Sequence, residues 1–265
     1  MDPINAVVLA VVQGLSEFLP ISSSGHLILI PHFLGWADQG LAFDVAVHVG
    51  TLAALLVYFR REILAMTAAW FAAVFRGRHT PDSRLAWQVL VGTIPVGLTG
   101  LAAGDWIESH LRSPLFVAGT LSFFGILMYL ADRTSKGRGD EHSLGWPQAL
   151  AIGCAQALAL MPGTSRSGIT MTAGRALGLS RSGAARFSFL LAIPGIGAAG
   201  VYEGYKVASS QVGMDVPALV IGVVCSAVVG LACIHLLIRY IERIGLLPFA
   251  IYRLALAAVI VWHFA

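Results

Sequence analysis

Long apolar runs, separated by short polar segments, dominate the chain. Six of these runs are 17–22 residues long, and about 20 apolar residues in an α-helix cross the hydrocarbon core of a bilayer. The pattern therefore predicts six transmembrane helices. They cover residues 41–59, 86–104, 114–131, 186–203, 217–238 and 248–264.

Two further apolar regions are interrupted by polar residues. Residues 3–35 contain Pro20 and the polar run 22–26, and residues 148–180 contain the polar run 161–168. Each half of these regions is too short to cross a bilayer, and a broken backbone at membrane depth must be buried in protein because lipid offers it no hydrogen-bond partners. We therefore expect two re-entrant helix–loop–helix elements inside the bundle.

The positions of Lys and Arg predict the orientation of the chain, because these residues concentrate in cytoplasmic loops. With loop 60–85 inside, six spans and two re-entrant elements put thirteen Lys and Arg residues inside and only Arg112 and Lys206 outside. Both termini are then outside. Residues 62–75 are expected to form an interfacial helix.

The two interrupted regions also match each other. Residues 13–25 align with residues 156–168 without a gap, and five of the thirteen positions are identical. The predicted fold is an all-α integral membrane protein with an inverted-topology repeat, in which each half has one re-entrant helix hairpin plus three transmembrane helices. Three crossings in each half invert the second half relative to the first. The repeats cover residues 3–132 and 148–265 of a single membrane domain, 1–265.

Composition supports a membrane protein and excludes several other classes. Residues of the set AVILMFWYC make up 57% of the 265 and charged residues 12%, whereas about 25% of a soluble domain is charged. A net charge of +3 is too small to indicate a nucleic-acid partner. The three cysteines lie in apolar runs without metal-ligand spacing, so we expect neither a disulfide nor a zinc site. No basic segment precedes the first apolar run, and no cleavable signal peptide is expected.

The two copies of the repeat differ in the residues that carry chemistry. The first contributes Glu17, Ser23 and His26, and the second has Arg166 opposite Ser23. Ionisable side chains at membrane depth are costly and generally mark function, although Glu17 and Arg166 could also form an ion pair that only holds the bundle together. The spacing of Ser23 and His26 puts both on one helix face and favours His26 as a base. Gln13, one turn before Glu17, could either bind a cation or support the carboxylate.

The tips of the two interrupted regions predict an anion site. Glycines and serines followed by a helix start leave backbone N–H groups free to bind an anion, and an arginine adds a bidentate clamp for phosphate. The expected ligand is a phosphate that enters along the membrane. The predicted phosphate-binding residues are Gly163, Thr164, Ser165, Arg166, Ser167 and Gly168, together with Ser22 and Ser24, which are also candidate helix caps.

The other notable residues are interpreted as structural. Four isolated residues on apolar helices are expected to pack or to form local hydrogen bonds: His48, His235, His263 and Arg253. Three arginines are expected to set the topology and meet lipid headgroups: Arg175, Arg181 and Arg186. Six glycines are expected to allow close helix packing: Gly92, Gly97, Gly100, Gly195, Gly197 and Gly200.

Residues 13–26 and 162–168 resemble the two signature motifs of the bacterial undecaprenyl-diphosphate phosphatases, the bacitracin-resistance protein family. The resemblance extends to residues 187–194 and 248–253 and covers essentially the whole chain. It implies an enzyme of the bacterial inner membrane that hydrolyses undecaprenyl diphosphate to undecaprenyl phosphate and inorganic phosphate. This reaction recycles the lipid carrier of peptidoglycan synthesis and confers bacitracin resistance.

The family also implies a divalent cation, Mg²⁺ or Ca²⁺, which we expect Glu17 to bind with help from Gln13. Two mechanisms stay open: attack by Ser23 with His26 as base, or attack by water that His26 activates. The alternative function is a polyprenyl-phosphate transporter with the same inverted architecture. The expected partners are the lipid substrate and bilayer lipids, and the sequence allows a homodimer.

Overall fold

The computed structural model describes residues 1–209 and 215–264, apart from the side chain at position 108. Within these ranges the regular structure consists of eleven α-helices and two short 3-10 turns, at Glu141–Ser143 and Leu158–Leu160. The helices are α1 (Pro3–Ser16), α2 (Ser23–Leu34), α3 (Leu41–Tyr58), α4 (Arg60–Arg76), α5 (Pro81–His110), α6 (Pro114–Thr134), α7 (Trp146–Ala157), α8 (Arg166–Ala176), α9 (Arg181–Ser209), α10 (Val216–Ile244) and α11 (Leu247–Phe264).

Six of the described helices are long and apolar enough to cross a membrane: α3, α5, α6, α9, α10 and α11. Each overlaps one predicted span, so the prediction of six membrane-spanning helices is confirmed. Several run further than the apolar pattern, because a helix continues into polar turns beyond the hydrocarbon: α5 begins at Pro81 and α10 ends at Ile244. The predicted interfacial segment is helical (α4), and its position relative to the membrane stays a prediction.

Polar caps followed by proline fix where several helices begin. Asp2 accepts the backbone N–H of Ile4 at 2.7 Å, directly before the proline that starts α1. Thr80 and Ser83 form a reciprocal capping box at the start of α5. Such caps satisfy N–H groups that have no partner inside the helix. The helix ends are therefore determined locally.

The short helices of the interrupted regions pack closely against long spans. α1 lies along α10, and α7 lies along α5. A Cβ atom built on Gly14 of α1 would come within 2.8 Å of Val229 Cβ, and one built on Gly153 of α7 would come within 2.3 Å of the Gly92 carbonyl oxygen. Glycine at these crossings lets the backbones approach and holds both interrupted regions in the bundle.

The prediction that glycines serve helix packing is confirmed at Gly92 and wrong at the other five positions. At those five, a Cβ atom built on the glycine meets no atom closer than 4.0 Å. Space rather than a neighbouring helix lies beside them, and some of them line the cavity described below. The five positions are Gly97, Gly100, Gly195, Gly197 and Gly200.

The prediction that arginines meet headgroups is wrong for Arg175, which is buried, and Arg181 and Arg186 also have partners within the protein. Asp132 accepts hydrogen bonds from Arg175 Nε at 3.0 Å and from Arg181 Nε at 2.8 Å. Arg186 pairs with Glu141. Buried or half-buried charges require an internal partner, and here carboxylates more than 40 residues away in the chain provide it. The sequence pattern gives no signal for such distant pairs.

Candidate active site

The two interrupted regions break their helices in the same way. Residues 17–22 separate α1 from α2, and residues 158–165 separate α7 from α8. Ser22 and Ser165, the residues directly before α2 and α8, have φ angles of 75° and 69° and are the non-glycine residues with positive φ in the described chain. This conformation is costly for serine, and such backbone strain is concentrated at functional sites and tight turns.

Glu17 is the centre of a network of polar side chains in the first break. Its side chain is 6% exposed. Its Oε1 accepts a hydrogen bond from Arg166 Nη2 at 2.9 Å. Its Oε2 accepts from Ser23 Oγ at 2.8 Å and from Gln13 Nε2 at 3.1 Å. Side chains from both interrupted regions, 149 positions apart for Glu17 and Arg166, therefore meet on one carboxylate.

Arg166 begins α8 and is held at a second point. Its Nη1 donates to the carbonyl oxygen of Ser188 on α9 at 3.2 Å, and its side chain is 15% exposed. The ion pair considered from the sequence thus exists. The ion pair orients the guanidinium. Another anion that bound to Arg166 would have to share the guanidinium with Glu17 or displace the carboxylate.

His26 is buried near this network and does not contact Ser23 in the described hydrogen bonds. Its Nδ1 lies 2.7 Å from the carbonyl oxygen of Ser22. A carbonyl oxygen only accepts, so Nδ1 carries the proton. Its Nε2 lies 2.6 Å from the hydroxyl of Tyr252 on α11. In the neutral ring, Nε2 is the basic atom, and it accepts a hydrogen bond from the Tyr252 hydroxyl.

Ser165 caps α8 and shapes the candidate anion-binding turn. Its Oγ accepts the N–H of Gly168 at 3.2 Å, and its carbonyl oxygen accepts the N–H of Ile169 at 2.9 Å. Among the described hydrogen bonds, the N–H groups of Arg166 and Ser167 have no such acceptor. Free N–H groups after a left-handed residue at a helix start are suited to bind an anion.

The remaining predicted phosphate residues lie in or beside the same two turns. Thr164 is fully buried and its hydroxyl has no hydrogen-bond partner. Ser167 Oγ donates to the carbonyl oxygen of Leu19 at 3.2 Å and so ties the second turn to the first. Ser22 is buried and Ser24 is exposed, with their hydroxyl oxygens 3.3 Å apart. Neither caps α2 with its side chain, since the residue before α2 makes no such bond.

A cavity of about 520 Å³ adjoins the two turns. Ser24 and Pro162 line it near the turns, and Gly97 and Gly195 line it from α5 and α9. Asp105, Arg112, Glu203 and Lys206 also lie on its wall. The cavity therefore extends from residues next to the two turns to a charged end of the bundle. The glycines along its wall leave this space open because they have no side chains.

The donor atoms around Glu17 fit a divalent cation that binds together with a diphosphate. Gln13 Oε1 is buried without a hydrogen-bond partner, although its Nε2 donates to Glu17. Mg²⁺ is usually held by one or two carboxylates plus substrate phosphates. In the part of the chain that the structure describes, no three His, Cys, Asp or Glu side chains gather into an all-protein metal cage. Glu17 and Gln13 Oε1 are therefore the candidate protein ligands.

Sequence reasoning missed three residues that contact the site. His48 Nε2 lies 3.7 Å from Glu17 Oε2, Tyr252 contacts His26, and Arg253 contacts the Gly163 carbonyl. Each comes from a helix distant in sequence, and His48 and Arg253 resemble ordinary isolated polar residues on apolar spans. The available signal was Arg253 itself, because an arginine at membrane depth generally marks function.

Six apolar spans define a multi-pass membrane protein, and the buried glutamate–arginine pair beside two helix starts is its candidate site for an anionic ligand. The chain belongs to the family described as "Bacitracin resistance protein BacA", which matches residues 6–259. The family resemblance found in the sequence is thereby confirmed.

Curated relatives cover the chain from end to end. "Undecaprenyl-diphosphatase 2" of Stutzerimonas stutzeri is 56% identical over 269 residues, which cover 100% of this chain and 99% of the relative. "Undecaprenyl-diphosphatase" of Nitrosococcus oceani is 52% identical over 265 residues, with 100% of both chains covered. The protein of the same name from Alteromonas mediterranea is 53% identical over 262 residues, which cover 99% of this chain and 98% of the relative.

Proposed function

We propose that the protein hydrolyses undecaprenyl diphosphate to undecaprenyl phosphate and inorganic phosphate, which recycles the lipid carrier of peptidoglycan synthesis and confers bacitracin resistance. The names of its relatives support this function. The structural observation that carries it is the meeting of Arg166, Ser23 and Glu17 beside the start of two helices. This combination offers a phosphate clamp, a hydroxyl nucleophile and a carboxylate, which suits phosphoryl transfer.

We propose an inverted-topology repeat in which each interrupted region is a re-entrant hairpin. The starts of α1 and α7 are 143 residues apart, and so are the starts of α2 and α8. The two serines with positive φ, Ser22 and Ser165, have the same offset. This agreement extends from sequence identity to backbone conformation, and it supports a common origin of the two turns.

We propose that the protein lies in the bacterial inner membrane with both termini outside and that the site opens to the periplasm. The thirteen-to-two distribution of Lys and Arg supports this orientation. Arg112 and Lys206, the two basic residues predicted outside, lie on the wall of the cavity, which Ser24 and Pro162 line next to the two site turns. The isoprenoid tail remains in lipid while the diphosphate enters this cavity.

Arg166 and the anion-binding turn bind the terminal phosphoryl group in this mechanism. The guanidinium exchanges part of its contact with Glu17 for the incoming phosphate oxygens. The N–H groups of Arg166 and Ser167 donate to the same group. Because charge spreads over the equatorial oxygens in the transition state, donors that are already fixed lower the barrier.

Ser23 is the proposed nucleophile. Its Oγ attacks the terminal phosphorus, the bond from phosphorus to the bridging oxygen breaks, and undecaprenyl phosphate leaves. Water then hydrolyses the phosphoseryl group and releases inorganic phosphate. His26 Nε2 accepts the Ser23 proton only after it exchanges its hydrogen bond with Tyr252, because that bond occupies Nε2 in this structure.

Attack by water that His26 activates is the rival route within the same function. The missing Ser23–His26 contact favours it, whereas the bond from Ser23 to Glu17 beside Arg166 favours the serine. Labelled phosphate trapped on the protein by rapid acid quenching would establish the serine route. Incorporation of solvent oxygen into phosphate without a protein adduct would establish the water route.

Glu17 and Gln13 would hold the divalent cation, Mg²⁺ or Ca²⁺. When bound, the cation neutralises charge on the diphosphate and its leaving group. Without a ligand, the Gln13 amide nitrogen and the Ser23 hydroxyl share Glu17 Oε2. The side-chain oxygen of Gln13 has no hydrogen-bond partner and would be available as a ligand to the cation.

Phosphate release by the purified protein tests the proposed function. Undecaprenyl diphosphate and the shorter farnesyl diphosphate are supplied in detergent, with and without EDTA. We expect phosphate release from both, suppressed by EDTA and restored by Mg²⁺ or Ca²⁺. Movement of the lipid across vesicle membranes without phosphate release would instead identify a transporter.

A separate measurement of particle size in detergent would determine whether the protein is a homodimer.

A further inference from the structure

Arg253 on α11 is fully buried and has no carboxylate partner among the described ion pairs. Its Nε donates to the carbonyl oxygen of Leu121 at 3.2 Å, and its Nη2 donates to those of Thr120 at 3.4 Å and Gly163 at 3.0 Å. Its Nη1 is buried without a hydrogen-bond partner. Carbonyl dipoles alone compensate a buried charge poorly.

The guanidinium lies against both ends of the turn that precedes and begins α8. At the first end it binds the carbonyl oxygen of Gly163, which has a φ of 87°. At the second end, its Nη1 lies 2.9 Å from the position that a Cβ atom on Gly168 would take. Thr120 Oγ1 anchors the same turn by donating to the carbonyl oxygen of Pro162 at 2.6 Å. The unpartnered nitrogen therefore lies directly against the anion-binding turn.

We infer that Arg253 is a positioning residue for the phosphate-binding turn 163–168, which it holds in shape and to which it adds a positive charge. The inference rests on the proposed function. Arg253 donates to the turn backbone and acts on the phosphoryl group through it. A phosphate bound at the turn then supplies the negative charge that the described residues around Arg253 lack, and binding of phosphate and burial of Arg253 stabilise each other.

The variant R253K tests this role, with R175K as the matched control. Arg175 is also buried and also donates to backbone carbonyl oxygens, at Leu179 and Ser135, but it lies at the other end of α8. Both variants lose a guanidinium fork that a lysine cannot reproduce. The measurements are thermal stability, kcat and KM for farnesyl diphosphate, and the inhibition constant of inorganic phosphate.

We expect both variants to lose stability. Only R253K should lower kcat/KM and weaken phosphate inhibition, each by about tenfold or more, the effect of losing a hydrogen bond to a charged group. Equal kcat, KM and phosphate inhibition in R253K and R175K, measured well below their melting temperatures, would overturn the inference. A wild-type protein that releases no phosphate would instead count against the proposed function.

The variant T120V keeps the test decisive if R253K does not fold. It removes the anchor on Pro162 with a side chain of nearly the same shape and leaves Arg253 in place. If the turn must be held in shape, T120V weakens phosphate inhibition in the same direction as R253K. Unchanged phosphate inhibition in T120V would show that the shape of the turn does not control phosphate binding.

Discussion

Glu17 and Arg166 show how single residues support the proposed chemistry at membrane depth. Each charge is costly alone in a medium without water, and their contact at 2.9 Å lets both remain buried. If the Glu17–Arg166 ion pair could not separate, the guanidinium would have no room to bind phosphate. In the proposed mechanism, the second contact of Arg166, with the carbonyl oxygen of Ser188, would keep the guanidinium in place while phosphate oxygens replace the carboxylate.

Substitution of Arg166 should destabilise the transition state directly and should also cost stability, because it leaves Glu17 buried without its ion-pair partner. Arg166→Ala should lower kcat/KM on the order of a hundredfold or more because it removes charge stabilisation. Arg166→Lys should restore little of this, since a point charge cannot replace the planar fork. Steady-state phosphate release measures both variants, and activity near the wild-type level in either would exclude Arg166 as the phosphate clamp.

Tyr252 tests how His26 takes part. Because the Tyr252 hydroxyl occupies His26 Nε2, the variant Y252F frees the basic atom at the expense of a hydrogen bond worth about 1 kcal/mol. We expect kcat to stay at the wild-type level or to rise up to about fivefold, the equivalent of that energy. Y240F on α10 is the control. A tenfold loss in Y252F alone would show that Tyr252 holds His26 in its working position.

At the scale of helices, four glycines of α5 and α9 line the cavity wall: Gly97, Gly100, Gly104 and Gly195. The sequence pattern favoured close packing of helices at Gly97 and Gly195. The space beside both glycines is instead empty, and both line the cavity. Close approach of backbones occurs instead where α7 crosses α5, at Gly153 and Gly92. A glycine-rich helix thus indicates that space is needed beside it. Only the structure shows whether a neighbouring helix or a cavity takes that space.

Bulk added at Gly97 should block the cavity without harming the fold. Gly97→Ala should keep or raise thermal stability, because alanine favours a helix over glycine by up to about 1 kcal/mol. Gly97→Phe should raise KM for the long-chain substrate severalfold. Gly200→Phe is the control, since that position is equally open but does not line the cavity. Equal KM values for the two phenylalanine variants would contradict a role for the cavity in substrate binding.

For the whole molecule, local sequence patterns predict more than distant contacts. Apolar length predicts the six spans. Pro20 lies in the first break, 17–22, and the polar run 161–168 overlaps the second, 158–165, whereas the run 22–26 mostly forms the start of α2. Glu17, Ser23 and Arg166 can be found because polar residues at membrane depth are conspicuous. Tyr252 and the carbonyl contacts of Arg253 cannot, because they depend on how α11 lies against other helices. The spacing of Ser23 and His26 placed both on one helix face and so favoured a contact between them. It gave no signal that His26 binds Tyr252 instead.

Kinetic comparison of variants from the two halves tests the central claim most directly. The claim is that both interrupted regions build one phosphate-cleaving site. Phosphate release from undecaprenyl diphosphate is measured for wild type, E17Q, S23A and R166K, with R175K as control, at equal amounts of folded protein. The account predicts an active wild type and control, and losses of about a hundredfold or more in all three site variants. Near-native activity in R166K, or in both E17Q and S23A, would contradict it.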